Sequence, residues 1–200
     1  MSNNTYEHWQ DISSYQGTNI DTTGIDGFIV KLSQGTSYVN PVAVEQIELV
    51  ADAGCKVAFY HFLNSYSPAE IDHAIATFND IVSKTSVKPE FYAWDIETTQ
   101  AIDSLPTGAP LMINPFNGLL IAVYTNQSLL GQVNHKLGSL PVWLALPQYV
   151  PPAEIPTEVA SEESKNNVDI IAVQDSQTNG VDNDYVNVAD TGTIPLLSDW

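Results

Sequence analysis

Short apolar runs recur along the chain, and several alternate with segments of helical period. Gly27–Leu32 (GFIVKL) reads as a buried strand. Pro41–Ala53 then has helical periodicity and stops at Gly54, a residue suited to the left-handed position after a helix. Lys56–Phe62 (KVAFYHF) is the next strand. Ser67-Pro68-Ala69-Glu70 predicts a capping box with proline in the first turn, the serine oxygen taking an orphan N–H and the glutamate reaching back. Behind it Ile71, Ile75, Phe78, Ile81 and Val82 form one apolar stripe. Phe91–Trp94, Leu119–Tyr124, Val142–Leu146 and Val168–Val173 predict further strands, with a helix over Gln127–Leu137. Strands alternating with helices at this spacing point to parallel βαβ units. A first strand before Asp11 and a last over Val181–Val188 bring the count to about eight, which favours a closed α/β barrel over an open sheet. Two loops interrupt the pattern: Asp103–Asn117, rich in proline and glycine, and Gln148–Asn167, proline-rich, acidic and expected to be mobile. The pattern resumes directly after each, so residues 1–200 read as a single domain.

Composition narrows the function. The 200 residues carry 24 acidic against 6 basic side chains, all six of them lysine, for a net charge of −18. Such a chain cannot hold a nucleic-acid backbone by counterion release, and it lacks the guanidinium that clamps phosphate. No apolar run approaches the ~20 residues of a membrane span, so no membrane insertion is expected. The opening MSNNTYEHWQDISSYQG has neither a basic nor an apolar signal region, so synthesis in the cytoplasm without a signal peptide is expected. Cys55 is the lone cysteine, which excludes an internal disulfide and a thiolate metal site. His8, His61, His73 and His135 show no paired spacing, and Asp182-Asn183-Asp184 lacks the glycine and glutamate of an EF-hand loop. His61 and His73 read as structural. No phosphate loop, dinucleotide fingerprint or nucleophile elbow occurs, so neither metal nor cofactor is expected.

Candidate chemistry sits where the apolar runs end: Asp11, Lys31, Tyr60 with His61, Asp95 with Glu97, Tyr124, Trp143, Gln174 and Asp182. In a βα barrel the C-terminal ends of the strands meet at one mouth, the usual place of the active site. Asp95 and Glu97, two residues apart on a strand, face the same side with Cα atoms roughly 6.6 Å apart. Like charges that close cannot both ionise comfortably, so one carboxyl should stay a proton donor near neutral pH. Glycoside hydrolysis needs such a pair flanking the scissile bond. The plainer alternative is an exposed Asp-x-Glu at a strand exit, capping a helix or binding a cation. Tyr60, Trp94, Tyr124, Trp143 and Tyr185 near the strand ends offer faces for sugar rings, although Trp94, opposite in phase to Asp95, should face outward against the helices.

In this order the segments resemble the glycoside hydrolase family 25 muramidases, the lysozymes of many phages and of some bacteria and fungi. Asp11-Ile12-Ser13-Ser14-Tyr15-Gln16-Gly17 resembles the family's opening Asp-x-Ser-x-x-Gln. Phe28-Ile29-Val30-Lys31 through Gly35-Thr36-Ser37-Tyr38-Val39-Asn40-Pro41 is similar to its second block. Phe59–Phe62, Trp94-Asp95-Ile96-Glu97, Val123-Tyr124-Thr125, Val142–Ala145, Val173-Gln174 and Val181–Asp184 resemble the later ones. The resemblance implies an irregular TIM-like (β/α) barrel with fewer than eight helices. It also implies hydrolysis of the β-1,4 bond between N-acetylmuramic acid and N-acetylglucosamine in peptidoglycan, the expected partner, by a monomer acting on the bacterial cell wall. Glu97 would be the general acid and Asp95 its assistant, orienting the substrate's N-acetyl group. Asp11 and Asp182 would complete the acidic cluster; Tyr60, Tyr124, Trp143, Gln174 and Lys31 would bind substrate.

Three departures stand out. Gln34 replaces a frequent glutamate, Asp175-Ser176 replaces Tyr-Ser, and Asp182 and Asp184 both offer a fourth carboxylate, of which Asp182 fits better because Val181 precedes it. A phage or prophage endolysin domain is the expected source, with no wall-binding module visible. Another βα-barrel carbohydrase acting on N-acetylated polysaccharide, or a barrel kept only for sugar binding, are the rivals. Because Gram-positive walls are polyanionic, a charge of −18 should repel at long range; either a targeting domain belongs to a longer natural chain or the enzyme works where its carboxylates are partly neutral, and an acid-shifted optimum is expected.

Overall fold

The structure, a computed structural model, describes residues 6–107, 118–138, 140–178 and 181–187. In chain order it contains β1 (Tyr6–Ile12), β2 (Gly27–Gln34), β3 (Tyr38–Val39), α1 (Ala43–Asp52), β4 (Lys56–Phe62), α2 (Pro68–Thr85) and β5 (Phe91–Asp95). There follow α3 (Thr99–Ser104), β6 (Leu120–Asn126), α4 (Leu130–Leu137), β7 (Val142–Ala145), α5 (Ile155–Asn166), β8 (Ile170–Thr178) and β9 (Val181–Asn187). The strands close into an irregular TIM-like barrel in the order β1, β2, β4, β5, β6, β7, β8, β9, with β9 returning to β1. The short β3 extends β2 as an antiparallel flap outside the ring.

Neighbours from β1 through β8 are parallel, as the alternation predicts, but β9 is antiparallel to both β8 and β1. The cause is connection length. Only residues 179–180 separate β8 from β9, enough for a hairpin and far too few for a parallel crossover. The consequence is positional: β9 starts at the mouth where the other strands end, and Asp182 pairs in register with Asp11.

Along β5 the alternation separates two layers. Phe91 and Ala93 point into the barrel with Trp9, Ile29, Tyr60 and Trp143. Tyr92 and Trp94 point outward and pack with Phe28, Phe59, Ile47 and Phe78 beneath α1 and α2. Trp94 is fully buried in this outer layer, on the side its phase predicts. The lower barrel is filled by Trp9 stacked on Phe91, ring centroids 6.0 Å apart. Gly27 makes room for that indole, since a Cβ there would overlap the Trp9 ring. Below the mouth the interior is thus filled by packed aromatic rings.

The helices depart from expectation in instructive ways. Gln148–Asn167 is not a mobile loop: α5 occupies most of it. Pro156 sits in its first turn and Glu158 complements the helix dipole there. Ile155, Val159 and Glu162 share its buried face, and Asn167 ends it in the left-handed conformation at φ 52°. Prolines before and within the first turn hide a helix that its i, i+4, i+7 face supports. The Ser67 cap is half a capping box. Ser67 Oγ accepts the Glu70 N–H at 3.3 Å, but the Glu70 carboxylate turns back to the Asn64 and Ser65 N–H groups at 2.7 and 3.0 Å. Within Asp103–Asn117, residues 103–104 belong to α3 and residues 108–117 lie outside the described ones, as does Val188.

Candidate active site

At the barrel's upper end opens a cavity of about 430 Å³. Asp11 on β1, Lys31 on β2, Tyr60 on β4, Tyr124 on β6, Trp143 on β7 and Gln174 on β8 all line it. Asp95 ends β5, Glu97 follows two residues later on the same side, and Asp182 enters from the start of β9. Nine of the residues singled out in the sequence therefore share one cavity, while His61, Trp94 and Tyr185 do not line it. Strand register explains the convergence: Lys31 pairs with Tyr60, Asp95 with Tyr124, and Tyr124 with Trp143, so these side chains emerge at one level.

Four carboxylates in a partly dry cavity cannot all ionise freely. Asp95 is 5% exposed, and burial, reinforced by the charge of Glu97, pushes its carboxyl well above the usual aspartate range. Asp11 is pushed up to about 7, first by burial and then by the charge of Asp182. Glu97 stays open to the cavity, yet lost hydration against the wall raises it too, with Lys31 opposing. Lys31 is the cavity's cation. Burial lowers its pKa, while Asp95, Glu97 and Asp11 favour its charge. Its Nζ donates to Gln34 Oε1 at 2.9 Å and lies 4.8 Å from the Phe62 ring centroid. Gln34, which stands where the resemblance places glutamate, thus gives Lys31 a neutral partner and leaves its charge to the carboxylates.

Asp182 and Asp184 differ in depth. Asp182 lines the cavity, whereas Asp184, one inward step lower on β9, is fully buried and accepts the Trp143 indole N–H at 2.8 Å. Burial and the charge of Asp11 push the Asp184 carboxyl well above the usual aspartate range, down in the barrel core. Trp143 itself is 1% exposed and forms floor beneath Tyr124, ring centroids 4.4 Å apart. The extra Asp175 is buried and accepts the Val150 N–H, adding no charge to the cavity. Tyr185 does not reach the mouth: it stacks on His8 at 5.6 Å on the outer side. His61 is structural, buried between Ser33 Oγ at 2.7 Å and Glu70 at 3.4 Å.

Ser13, Tyr15, Gln16 and Phe62 also line the cavity. Gln16 had a signal, as the last member of Asp-x-Ser-x-x-Gln. Its Oε1 accepts the Ser13 N–H at 2.8 Å and ties the loop after β1 into a turn. Phe62 closes the β4 apolar run, while Tyr15, 95% exposed on a loop, has no pattern to betray it.

A family model described as Glycosyl hydrolases family 25 matches residues 7–167, every element from β1 to α5. The chain belongs to this family. The autolytic lysozyme of Clostridium acetobutylicum is 29% identical over 147 residues, 68% of this chain and 43% of its own length. The chain therefore spans less than half of that curated relative. Two solved structures share the fold. A family 25 glycosyl hydrolase from Bacillus anthracis is 14% identical, with 93% of this chain and 91% of that one covered and a TM-score of 0.61. The catalytic domain of endolysin ply40, from bacteriophage P40 of Listeria monocytogenes, is 14% identical, covering 94% and 95% with a TM-score of 0.60.

Proposed function

We propose that this family 25 domain is a peptidoglycan-degrading N-acetylmuramidase, a lysozyme, cleaving the β-1,4 bond between N-acetylmuramic acid and N-acetylglucosamine. The observation that carries the reading is one cavity in which Glu97 and Asp95 stand two residues apart, both with raised pKa values, in a chain whose family match spans β1 to α5. A raised carboxyl holds the proton that must reach the leaving oxygen as the glycosidic bond breaks. Glu97, the more open of the two, is the general acid. Asp95, buried beside it, orients and stabilises the substrate's N-acetyl group. Asp182, and Asp11 once ionised, place negative charge across the cleft, where positive charge develops on the sugar ring in the transition state. Tyr60, Tyr124, Trp143, Gln174 and Lys31 form the substrate-facing wall and floor. Likeness to a phage endolysin and to a bacterial autolytic lysozyme supports action on the bacterial cell wall, and we read the chain as the domain of a phage or prophage endolysin acting as a monomer.

Digestion of purified Gram-positive peptidoglycan followed by mass spectrometry tests the bond. New reducing ends at N-acetylmuramic acid are expected. Ends only at N-acetylglucosamine, or release of sugar from chitin oligomers with walls untouched, would place the chain among other carbohydrases.

A further inference from the structure

Among the described residues, the large apolar side chains left in solvent are Tyr15, Tyr38, Val39 and Tyr149. They follow the C-terminal ends of β1, β2 and β7, so all four stand on the face that carries the cavity. Tyr15 is the extreme case, 95% exposed and yet lining the cavity. The loop that carries it is firmly held. Gln46, fully buried on α1, donates its side-chain amide to the Ser13 carbonyl at 2.8 Å and the Gly17 carbonyl at 2.6 Å, one on either side of Tyr15. The Ser13 N–H and hydroxyl both donate to Gln16 Oε1, and Gly17 takes a left-handed conformation at φ 61°. Ser14 Oγ lies 2.8 Å from the Tyr38 hydroxyl, which ties the loop to the β3 flap. An aromatic ring that is costly to leave in water is thus presented on a fixed backbone, and a preorganised side chain loses little freedom on binding.

We propose that Tyr15 is a stacking platform for a sugar ring beyond the cleft, so that the domain holds long glycan strands better than short fragments. The inference rests on reading the cavity as a glycan cleft. A tyrosine joins an apolar ring face to a polar tip, and a pyranose offers matching surfaces, C–H groups on its face and hydroxyls at its edge. Residues 13–20 (SSYQGTNI) contain no charged side chain, in a chain of net charge −18. That neutral, polar and aromatic rim suits a polyhydroxylated ligand and adds nothing to the repulsion between the domain and a polyanionic wall. Attraction by net charge is closed to this domain, so its grip on the polymer has to come from uncharged contacts of this kind. The placement agrees. Tyr60 and Tyr124 are buried around the carboxylates, whereas the Tyr15 ring is nearly free of its own chain and stands clear of them. A strand seated at Glu97 and continuing past the end of β1 meets it.

The test compares wild type, Tyr15→Ala and Tyr15→Phe on soluble, uncrosslinked peptidoglycan glycan strands and on a tetrasaccharide of the same repeat. Tyr15→Ala should raise KM on the long strands about three- to tenfold and leave kcat within about twofold. On the tetrasaccharide both constants should stay as in the wild type. The Tm should not move, because the ring packs on so little of its own chain. Tyr15→Phe should lie close to the wild type, since stacking needs the ring rather than the hydroxyl. An unchanged KM on long strands overturns the platform. An equal rise on the tetrasaccharide overturns a site beyond the cleft, and a rise with a lowered Tm assigns Tyr15 to holding its loop instead. Self-association of the wild type that Tyr15→Ala abolishes, with KM untouched, gives the ring to a second copy of the chain. If wild type cleaves neither substrate, the muramidase reading fails by itself. Calorimetric affinity for the same strands then decides the platform, and equal affinities of wild type and Tyr15→Ala overturn it.

Discussion

Asp184 and Asp182 differ by one inward step on β9, and that step changes what each carboxyl is for. Asp182 meets the cavity, whereas Asp184 is sealed below it against the Trp143 indole. Burial and the charge of Asp11 favour the protonated form of Asp184, so its uncharged isostere should replace it. Asp184→Asn is expected to fold with a Tm near that of the wild type, whereas Trp143→Phe, which strips the buried carboxyl of its donor, should cost about 1–3 kcal/mol, readable in urea unfolding. A large loss in Asp184→Asn would show that the carboxyl is ionised. Much of the site is legible at this scale. Asp95 and Glu97 declare themselves by a period of two at the end of an apolar run, and Lys31, Tyr60 and Tyr124 by ending theirs. What a single strand cannot tell is depth, which depends on how strands are staggered. Residue type alone did not separate Asp182 from Asp184, nor reveal that Tyr185 turns away to His8.

Elements whose pattern is uninterrupted are read correctly, and β4 over Lys56–Phe62 coincides with its apolar run. α5 shows the opposite case. Its prolines and acidic residues suggest a loop, but proline at a first turn and glutamate near a helix N-terminus are both favourable there. Glu162 adds to the disguise: it is a buried acid on the packed face, held by Lys165 at 2.6 Å and Asn166 at 3.1 Å. The helix ends on Asn167 at positive φ, a conformation that costs a β-carbon-bearing residue about 1–2 kcal/mol unless its side chain is suited to it. Asn167→Ala is therefore expected to lower stability by about 1 kcal/mol, and Asn167→Gly to hold or raise it. Equal Tm values for the two variants would deny that the left-handed cap ends α5.

For the whole molecule, charge and the carboxylate cluster act in the same direction. Asp11 binds its proton more tightly folded, with a pKa of about 7 against 3.8 for the ordinary group. Its contribution to stability is therefore complete below about pH 4 and lost as pH rises through about 7. Asp95 and Asp184, raised likewise by burial, carry the same sign. The Tm should fall between pH 4 and 7, and Asp11→Asn should flatten that fall; a Tm rising across the window would contradict the cluster's electrostatics. A surface at −18 adds self-repulsion that acid relieves, and it repels a polyanionic wall. An acid-shifted activity optimum follows from both, and maximal turnover above neutral pH would contradict it. At this scale the closed barrel was legible from strand count and alternation. The reversal of β9 was not, because it hangs on a connection of two residues at 179–180 rather than on any apolar pattern.

We propose that Glu97 delivers the proton that breaks the glycosidic bond. The most direct test compares the rate at which wild type and Glu97→Gln solubilise purified Gram-positive peptidoglycan, with circular dichroism confirming equal folding. Loss of a general acid should reduce the rate by about a hundredfold or more while the wall is still bound. A folded Glu97→Gln that digests walls at the wild-type rate would contradict the account.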